Sequence, residues 1–186
     1  MYRFIALSAP SGAGKTTIAN MLVQRNDDMV ISVSATTRPQ RPAEIEGVDY
    51  YFMTRHEFET NIENNNFLEY EKVHENYYGT LRPVVDKLIR KGKRIVFDID
   101  VKGALSIRQA YPQESLLIFI QAPSIEELKK RLINRKSESE QAIHLRLKRI
   151  EFEIDQSKFF DHVIINDTLE HTVEKIESLI HANGHL

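Results

Sequence analysis

Hydrophobic residues along the chain gather into short apolar runs, and the segments between the runs show helical spacing. Five runs predict strands, at 3–8, 29–34, 93–100, 115–122 and 162–167. The runs are almost continuously apolar, which is typical of strands that are covered on both faces. The pattern therefore predicts an α/β fold in which helices flank a parallel central sheet.

Local signals mark where several helices begin and end. The capping box S/T-x-x-E occurs at 54–57, 124–127 and 137–140. Gly92, after the segment LIR, is placed to end a helix in the left-handed conformation. A last helix is indicated by apolar residues at helical spacing, which are Val173, Ile176, Leu179 and Ile180.

Two segments interrupt the alternation of strands and helices. The first, about 34–81, is rich in Tyr, Arg, Glu and Asn, and the second, about 124–157, is helical and carries most of the clustered basic residues. We interpret both as lobes inserted into one domain spanning 1–186. The core would then consist of 1–33, 82–123 and 158–186.

Composition narrows the function classes. With 41% hydrophobic and 28% charged residues among 186, the chain is typical of a soluble globular protein. A net charge of −2 disfavours a protein that mainly binds nucleic acid or acidic membranes. The absence of cysteine excludes disulfides, thiol catalysis and cysteine-based zinc sites. Without a spanning apolar run or a signal-peptide cleavage region, we expect a cytoplasmic protein that binds neither membranes nor nucleic acid.

The segment LSAPSGAGKTTIA has the spacing of a phosphate-binding loop, G-x-x-x-x-G-K-[ST], with Ala9 where the first glycine usually stands. Gly12 and Gly14 permit backbone angles that turn N–H groups inward, and a helix N-terminus follows. Lys15 can reach the β- and γ-phosphates, and the Thr16 hydroxyl can ligate Mg²⁺. The predicted ATP-binding residues of this loop are Ser11, Gly12, Ala13, Gly14, Lys15, Thr16 and Thr17.

A second acidic feature ends the run IVFDID. Asp98 and Asp100 lie two residues apart at the C-terminal end of a predicted strand, where ligands bind in open α/β sheets. One or both could hold Mg²⁺ through water or contact a substrate. The spacing alone leaves the division of roles open.

Candidate acceptor-binding residues lie in the first inserted segment. Arg38 and Arg41 are three residues apart among prolines, and paired guanidinium groups suit bidentate capture of a phosphate. Glu44 could orient one of them. Further polar groups suited to a phosphate and a ring follow in FLEYEKVHENYYGT, namely Glu69, Tyr77, Tyr78 and Thr80.

Taken together, these pieces resemble the guanylate kinase family. They occur in the family's order and cover nearly the whole chain. The matching pieces are SAPSGAGKTT, SVSATTRPQRPAEIEGVDYYF, FLEYEKVHENYYGT, VFDIDVKGA and RLINRKSESEQAIHLRLKRIEFE.

The resemblance implies Mg²⁺- and ATP-dependent phosphorylation of GMP, and of dGMP, to GDP by direct in-line transfer, in a monomer or homodimer. The insert 34–81 would be a GMP-binding lobe and 124–157 a lid. By family position, the GMP phosphate would be held by Arg38, Arg41, Tyr50 and Tyr78. Guanine would be read by Ser34, Glu69, Thr80 and Asp100, since a carboxylate and hydroxyls complement its N–H donors and its O6 acceptor.

The resemblance also assigns roles in the lid. Arg131, Arg135 and Arg146 would close over the triphosphate and stabilise the transferring charge. Lys148 and Arg149 are expected to face solvent. Glu138 and Gln141 replace residues that are common in the family, which affects details of the lid and not the reaction. Outside the lid, Asn166 would contact adenine or serve as a helix N-cap.

Two other functions fit parts of this pattern. A kinase of the same fold that phosphorylates a ribosyl bisphosphate would not need Ser34, Glu69 and Thr80. A non-catalytic protein-binding module of guanylate kinase type would typically lack parts of the phosphate loop, whereas Lys15 and Thr16 are present.

Overall fold

The structure is a computed structural model that describes residues 2–73, 75–124, 128 and 140–182, except for the side chains of 140–146. The strands are β1 (Phe4–Ser8), β2 (Met29–Ile31), β3 (Ala35–Thr36), β4 (Tyr51–Phe52), β5 (Phe67–Val73), β6 (Asn76–Leu81), β7 (Arg94–Asp98), β8 (Ser115–Gln121) and β9 (His162–Ile165). The helices are α1 (Lys15–Arg25), α2 (Arg55–Glu63), α3 (Arg82–Arg90), α4 (Val101–Ala110), α5 (Glu140–Gln156) and α6 (Leu169–Ala182).

Five strands form a wholly parallel sheet in the order β2-β7-β1-β8-β9. Side chains of β1 alternate between two hydrophobic clusters, one on each face of the sheet. Ile5 and Leu7 join a cluster with α1 and α6, while Phe4 and Ala6 join one with α3 and α4. The prediction of a parallel sheet covered on both faces is confirmed.

Each of the five predicted strands is present, but four of them end one to three residues before their apolar runs. The run at 29–34 ends as a strand at Ile31, because the chain then enters a second sheet at Ala35. The run at 93–100 ends at Asp98, since Asp100 already caps the next helix. Hydrophobic residues beyond a strand, such as the buried Ile99, extend the apolar pattern past the hydrogen-bonded ladder.

The interrupting segment 35–81 forms a second, four-stranded mixed sheet in the order β4-β3-β6-β5. Strands β5 and β6 pair as an antiparallel hairpin. Phe58 of α2 is fully buried beneath this sheet, with its ring centroid 4.2 Å from that of Phe67 and 5.2 Å from that of Tyr77. The second sheet therefore has its own small aromatic core.

The predicted helix signals are confirmed where they lie in the described residues. Thr54 and Glu57 form a reciprocal capping box at the start of α2. Gly92 has φ +73° and donates its N–H to the Ile89 carbonyl at 2.8 Å. The boxes at 124–127 and 137–140 include residues outside the described part. Within that part, none of the helices has the length and hydrophobicity needed to cross a membrane.

Candidate active site

The phosphate-binding loop connects β1 to α1. Gly12 and Gly14 have φ values of +88° and +93°, which residues with a side chain rarely adopt. Gly14 occupies the N-cap position of α1 without any side-chain cap, so that N-terminus faces the loop uncapped by protein side chains. Asn65 is the only non-glycine residue with positive φ in the described part of the chain, so Ala9 has an ordinary backbone there. The missing glycine therefore causes no strain.

The first two residues of α1 converge on one carboxylate at the end of β7. The Lys15 Nζ atom lies 2.5 Å from Asp98 Oδ1 and donates to the Ile99 carbonyl at 2.9 Å. The Thr16 hydroxyl donates to Asp98 Oδ2 at 2.5 Å. Because β1 and β7 are neighbouring parallel strands, their C-terminal ends bring the loop and this aspartate together.

Asn166, which directly follows β9, is hydrogen-bonded to the phosphate loop. Its Nδ2 donates to the Ala13 carbonyl at 2.8 Å, and its Oδ1 accepts from the Thr172 hydroxyl at 3.0 Å. A Cβ atom at Gly14 would lie only 2.8 Å from this Nδ2, which is a second reason for glycine there. The N-cap alternative for Asn166 is wrong, because α6 begins at Leu169, three residues later.

The two arginines of the acceptor loop are organised by Glu44. One carboxylate oxygen accepts from Arg38 Nη2 at 2.6 Å, and the other accepts from the backbone N–H of Arg41 at 2.8 Å. The Arg38 guanidinium also lies 5.4 Å from the centre of the Tyr50 ring. Glu44 therefore holds Arg38 in place, as the spacing suggested, and has both oxygens engaged by protein.

Two tyrosines extend this cluster towards the second sheet. The Tyr50 and Tyr78 rings meet edge to face, with centroids 6.1 Å apart. Burial raises the pKa of the Tyr50 hydroxyl, so that hydroxyl stays protonated and can donate a hydrogen bond at neutral pH. The cluster thus offers guanidinium and phenol donors, a set suited to a phosphate.

Glu69 and Thr80 face each other across the β5–β6 hairpin. Their positions are paired in the strand register, and the buried Thr80 hydroxyl donates to Glu69 Oε1 at 2.5 Å. Burial raises the pKa of Glu69 to about 7, with smaller increases from Asp100 and Glu71, while the Thr80 hydrogen bond opposes them. This carboxyl group carries a charge that its surroundings compensate poorly.

Asp100 joins this pocket to the parallel sheet. It is the N-cap of α4, and its Oδ1 accepts from the Gly103 N–H at 2.8 Å. A Cβ at Gly103 would lie 3.1 Å from Glu69 Oε2, so the first turn of α4 packs directly on that glutamate. Asp98 and Asp100 therefore have different partners, the first on the phosphate loop and the second beside Glu69.

The comparisons with known proteins agree with this geometry. A family profile described as guanylate kinase matches residues 1–183. A guanylate kinase of Chlorobium chlorochromatii is 47% identical over 178 residues, covering 96% of this chain and 94% of that protein. One from Chlorobium luteolum is 45% identical over 174 residues, covering 94% and 88%. The chain belongs to the guanylate kinase family.

A solved structure supports the same assignment at the level of the fold. The crystal structure of guanylate kinase from Anaplasma phagocytophilum superposes with a TM-score of 0.80 at 33% identity. The match covers 100% of this chain and 87% of that one. The guanylate kinase fold, predicted from the sequence motifs, is confirmed over the length of the chain.

Several guanylate kinase residues predicted for the lid cannot be placed in this site. Arg131, Arg135 and Glu138 lie outside the described residues, and so do the side chains of Arg146 and Gln141 on α5.

Ser34 is partly buried at the entrance to β3, and its carbonyl accepts from the Tyr51 N–H at 2.9 Å.

Sequence reasoning missed two charged residues beside Asp100. Arg149 was expected to face solvent, and it is partly exposed, but its Nη2 lies 3.4 Å from Asp100 Oδ2 and 3.9 Å from Glu71 Oε2. Arg149 is exposed, as expected, but its reach to Asp100 could not be predicted because it depends on tertiary packing. Glu71 had a usable signal, since it is two residues after Glu69 and shares that face of β5.

Glu71 and Asp100 interact as a carboxyl pair. Two ionised carboxylates repel at close range, so each makes ionisation of the pair less favourable. The pKa of Glu71 is raised, first by its interaction with Asp100 and then by burial. Burial acts to raise the pKa of Asp100 too, but it is lowered overall by Glu71, the Gly103 N–H and Arg149. Of the two carboxyl groups, Asp100 therefore ionises more readily than Glu71.

Proposed function

We propose that this chain phosphorylates GMP, and also dGMP, to GDP with ATP as the donor. The observation that carries the proposal is the end of β7, where two sites meet. Asp98 is engaged by Lys15 and Thr16 of the phosphate loop. Two residues later, Asp100 caps a helix that packs on Glu69. A donor phosphate site and a base-reading site would then share one short segment, as a nucleoside monophosphate kinase requires.

On the donor side, the loop 9–14 and the N-terminus of α1 would bind the ATP phosphates. Lys15 would neutralise charge at the transferring group. Asn166, which holds the loop through Ala13, would support this site and face the adenine side.

The residues present fit a magnesium ion. Thr16 and Asp98 bring hydroxyl and carboxylate oxygens within 2.5 Å of each other, and Mg²⁺ prefers oxygen ligands while keeping several waters. We assign Asp98, and not Asp100, to the metal, because Asp98 is the one in contact with the phosphate loop. Bound there with ATP, the metal would neutralise charge on the phosphates.

On the acceptor side, Arg38 and Arg41 with Tyr50 and Tyr78 would hold the GMP phosphate. Arg38 is already oriented by Glu44 and stacked near the Tyr50 ring. Holding the acceptor phosphate in line with the donor is the main catalytic requirement of such a reaction, because the transfer needs no covalent enzyme intermediate.

The guanine base would be read by Glu69, Thr80, Ser34 and Asp100. Guanine presents its N1–H and N2–H₂ groups side by side, and a carboxylate accepts both. Adenine has no proton on N1, so it would leave the carboxylate unpaired and bind much less well.

The inserted segments would move around these sites. We assign 34–81 to a GMP-binding lobe and 124–157 to a lid, on a core of 1–33, 82–123 and 158–186, with the chain acting as a monomer or homodimer. Arg131, Arg135 and Arg146 of the lid would stabilise charge on the transferring phosphoryl group. Closure would keep water from accepting that group.

A coupled ADP-release assay with ATP, Mg²⁺ and a panel of acceptors tests the proposal. The panel contains GMP, dGMP, AMP, UMP, CMP and a ribosyl bisphosphate. We expect turnover with GMP and dGMP and little with the others. Turnover with the ribosyl bisphosphate but not GMP would indicate a different kinase of this fold. No turnover with any acceptor, in protein that still binds GMP, would indicate a binding module.

A further inference from the structure

Arg149 connects three parts of the molecule at one guanidinium group. It is on α5, and its Nη2 faces Asp100 at the end of the parallel sheet and Glu71 on β5 of the second sheet, at 3.4 and 3.9 Å. Its Nε donates to Glu153 at 3.1 Å on its own helix. That bond fixes one edge of the guanidinium and leaves Nη2 directed at the two carboxyl groups.

The surroundings of this guanidinium are strongly acidic. Glu69, Glu71, Asp100 and Glu153 approach one another from three elements, and Lys102 pairs with Glu71 Oε1 at 2.9 Å. The second oxygen, Glu71 Oε2, is buried and has no hydrogen-bond partner in the described part of the chain. Among the described residues, the cations paired with Glu71 are Arg149 and the exposed Lys102, so without Arg149 the Glu71 and Asp100 carboxyl groups would face each other with Lys102 alone of these two beside Glu71.

We infer that Arg149 is a positioning residue for GMP: by compensating the neighbouring carboxyl groups of Glu71 and Asp100, it holds the Asp100 carboxylate in the orientation that reads the base. The inference rests on the proposed function, because it takes Asp100 to be a guanine contact. It adds a residue that contacts neither nucleotide. At 3.4 Å and with 45% of its side chain exposed, Arg149 acts mainly through its charge, since a hydrogen bond at that length is weak.

Neutralising Arg149 should therefore weaken the binding of GMP and leave the binding of ATP unchanged. We expect Arg149→Gln to raise KM for GMP roughly three- to tenfold, the range for partly exposed charge pairs that are coupled. KM for ATP should stay within about twofold of the parent value. Arg149→Lys keeps the positive charge but loses the planar guanidinium with its several N–H donors, so its KM for GMP should be intermediate. Lys148→Gln, on an exposed neighbour, is the matched control and should change neither constant.

Glu71 allows a rescue experiment, and rescue would not be expected if Arg149 had only a general structural role. If Arg149 acts by compensating the Glu71–Asp100 pair, removing the Glu71 charge should make Arg149 less necessary. Glu71→Gln alone should change KM for GMP by less than about twofold. The double variant Glu71→Gln/Arg149→Gln should have a lower KM for GMP than Arg149→Gln alone.

The measurements are initial rates with both substrates varied, GMP binding by calorimetry without ATP, and thermal unfolding of every variant. Equal increases in KM for GMP and ATP would mean that Arg149 only supports α5, and the inference would be wrong. It would also be wrong if the double variant showed no rescue, or if Arg149→Gln had parent-like GMP binding. Failure of the parent protein to bind or phosphorylate GMP would instead contradict the proposed function.

Discussion

The donor and base sides of the site differ in how the chain builds them. The proposed donor side has one local piece, the loop and first turn of α1 with Lys15 and Thr16, and this piece meets Asp98 at the end of β7. The base side is assembled from a hairpin and a helix N-terminus, because Thr80 reaches Glu69 across two strands and Asp100 caps α4. The donor loop is local in sequence but pairs with a carboxylate 82 residues from Thr16, whereas the base side combines a local hairpin pair, 11 residues apart, with a helix N-terminus from another part of the chain.

The two sides also differ in how the charge of their carboxylates is compensated. Asp98 has an ammonium group 2.5 Å away, so its charge is compensated before any ligand binds. Glu69 accepts from the Thr80 hydroxyl and is paired with no cation in the described part of the chain, and burial raises its pKa to about 7. On the proposed assignment, the donor side is organised for charge, whereas the base side keeps a carboxylate whose compensation would come from the ligand. Changes on the donor side should lower rates, and changes on the base side should alter selectivity.

The largest effect should follow from Lys15→Met. Removing the charge at the transferring group should lower kcat by roughly 10²–10³, or about 3–4 kcal/mol. Steady-state rates at saturating ATP and GMP measure this, with the exposed Lys87→Met as the matched control. If a folded Lys15 variant kept more than about a tenth of the parent kcat, the assignment of the phosphate loop would be wrong.

Arg38→Ala should weaken the binding of GMP far more than the binding of ATP. Loss of an oriented charge-assisted contact to the acceptor phosphate should raise KM for GMP by about 10²-fold, roughly 3 kcal/mol. Glu44→Gln should act in the same direction but less, because it only loosens Arg38. Separate titrations of the two substrates measure the difference. Arg55→Ala, on the exposed face of α2, is the control. Equal weakening of both substrates would indicate a purely structural role for Arg38.

Glu69→Gln tests the base side directly. Gln keeps the size but replaces one acceptor oxygen with an NH₂ donor, which must face a guanine donor or turn away. We expect kcat/KM for GMP to fall by about 2 kcal/mol, roughly 30-fold, while AMP gains little. Rates with GMP and AMP in both proteins provide the measurement, and Glu63→Gln on the surface is the control. An unchanged GMP value would show that Glu69 does not read the base.

The same substitution should stabilise the protein at alkaline pH. Because the folded-state pKa of Glu69 is raised, its ionisation destabilises the fold as pH rises from the unfolded value near 4.5 through about 7. Glu69→Gln removes that cost, so its free energy of unfolding should exceed that of the parent by about 1–2 kcal/mol at pH 8. Chemical denaturation from pH 5 to 8 should show the advantage shrinking as pH falls. An advantage independent of pH would contradict the raised pKa.

The smallest effect concerns the support of the phosphate loop. Asn166→Ala removes the donor to the Ala13 carbonyl and the acceptor of the Thr172 hydroxyl, which lie in a buried site. We expect a loss of about 1 kcal/mol in the free energy of unfolding and a several-fold rise in KM for ATP. Urea denaturation and ATP titration measure the two effects, and Asn64→Ala at the exposed end of α2 is the control. A change in KM for GMP alone would contradict this role.

Much of the fold and of the donor side could be predicted from the chain alone. Continuous apolar runs predict strands buried on both faces, and the residues of β1 do fill the clusters on the two sides of the sheet. The phosphate loop is readable because its conformation is local, requiring positive φ at Gly12 and Gly14 and a lysine at the start of the helix. Residue type and spacing determine such features, since neighbours in sequence are also neighbours in space.

Only the tertiary structure decided which distant side chains meet. Three features depend on it: the different partners of Asp98 and Asp100, the link from Asn166 to a carbonyl 153 residues away, and the contact of Arg149 with a carboxylate 49 residues away. These contacts follow from the strand order β2-β7-β1-β8-β9 and from where α5 and the second sheet pack. Periodicity reports which face of an element is apolar, but not which element lies against it. The partners of polar and charged residues are therefore set by packing of the whole chain.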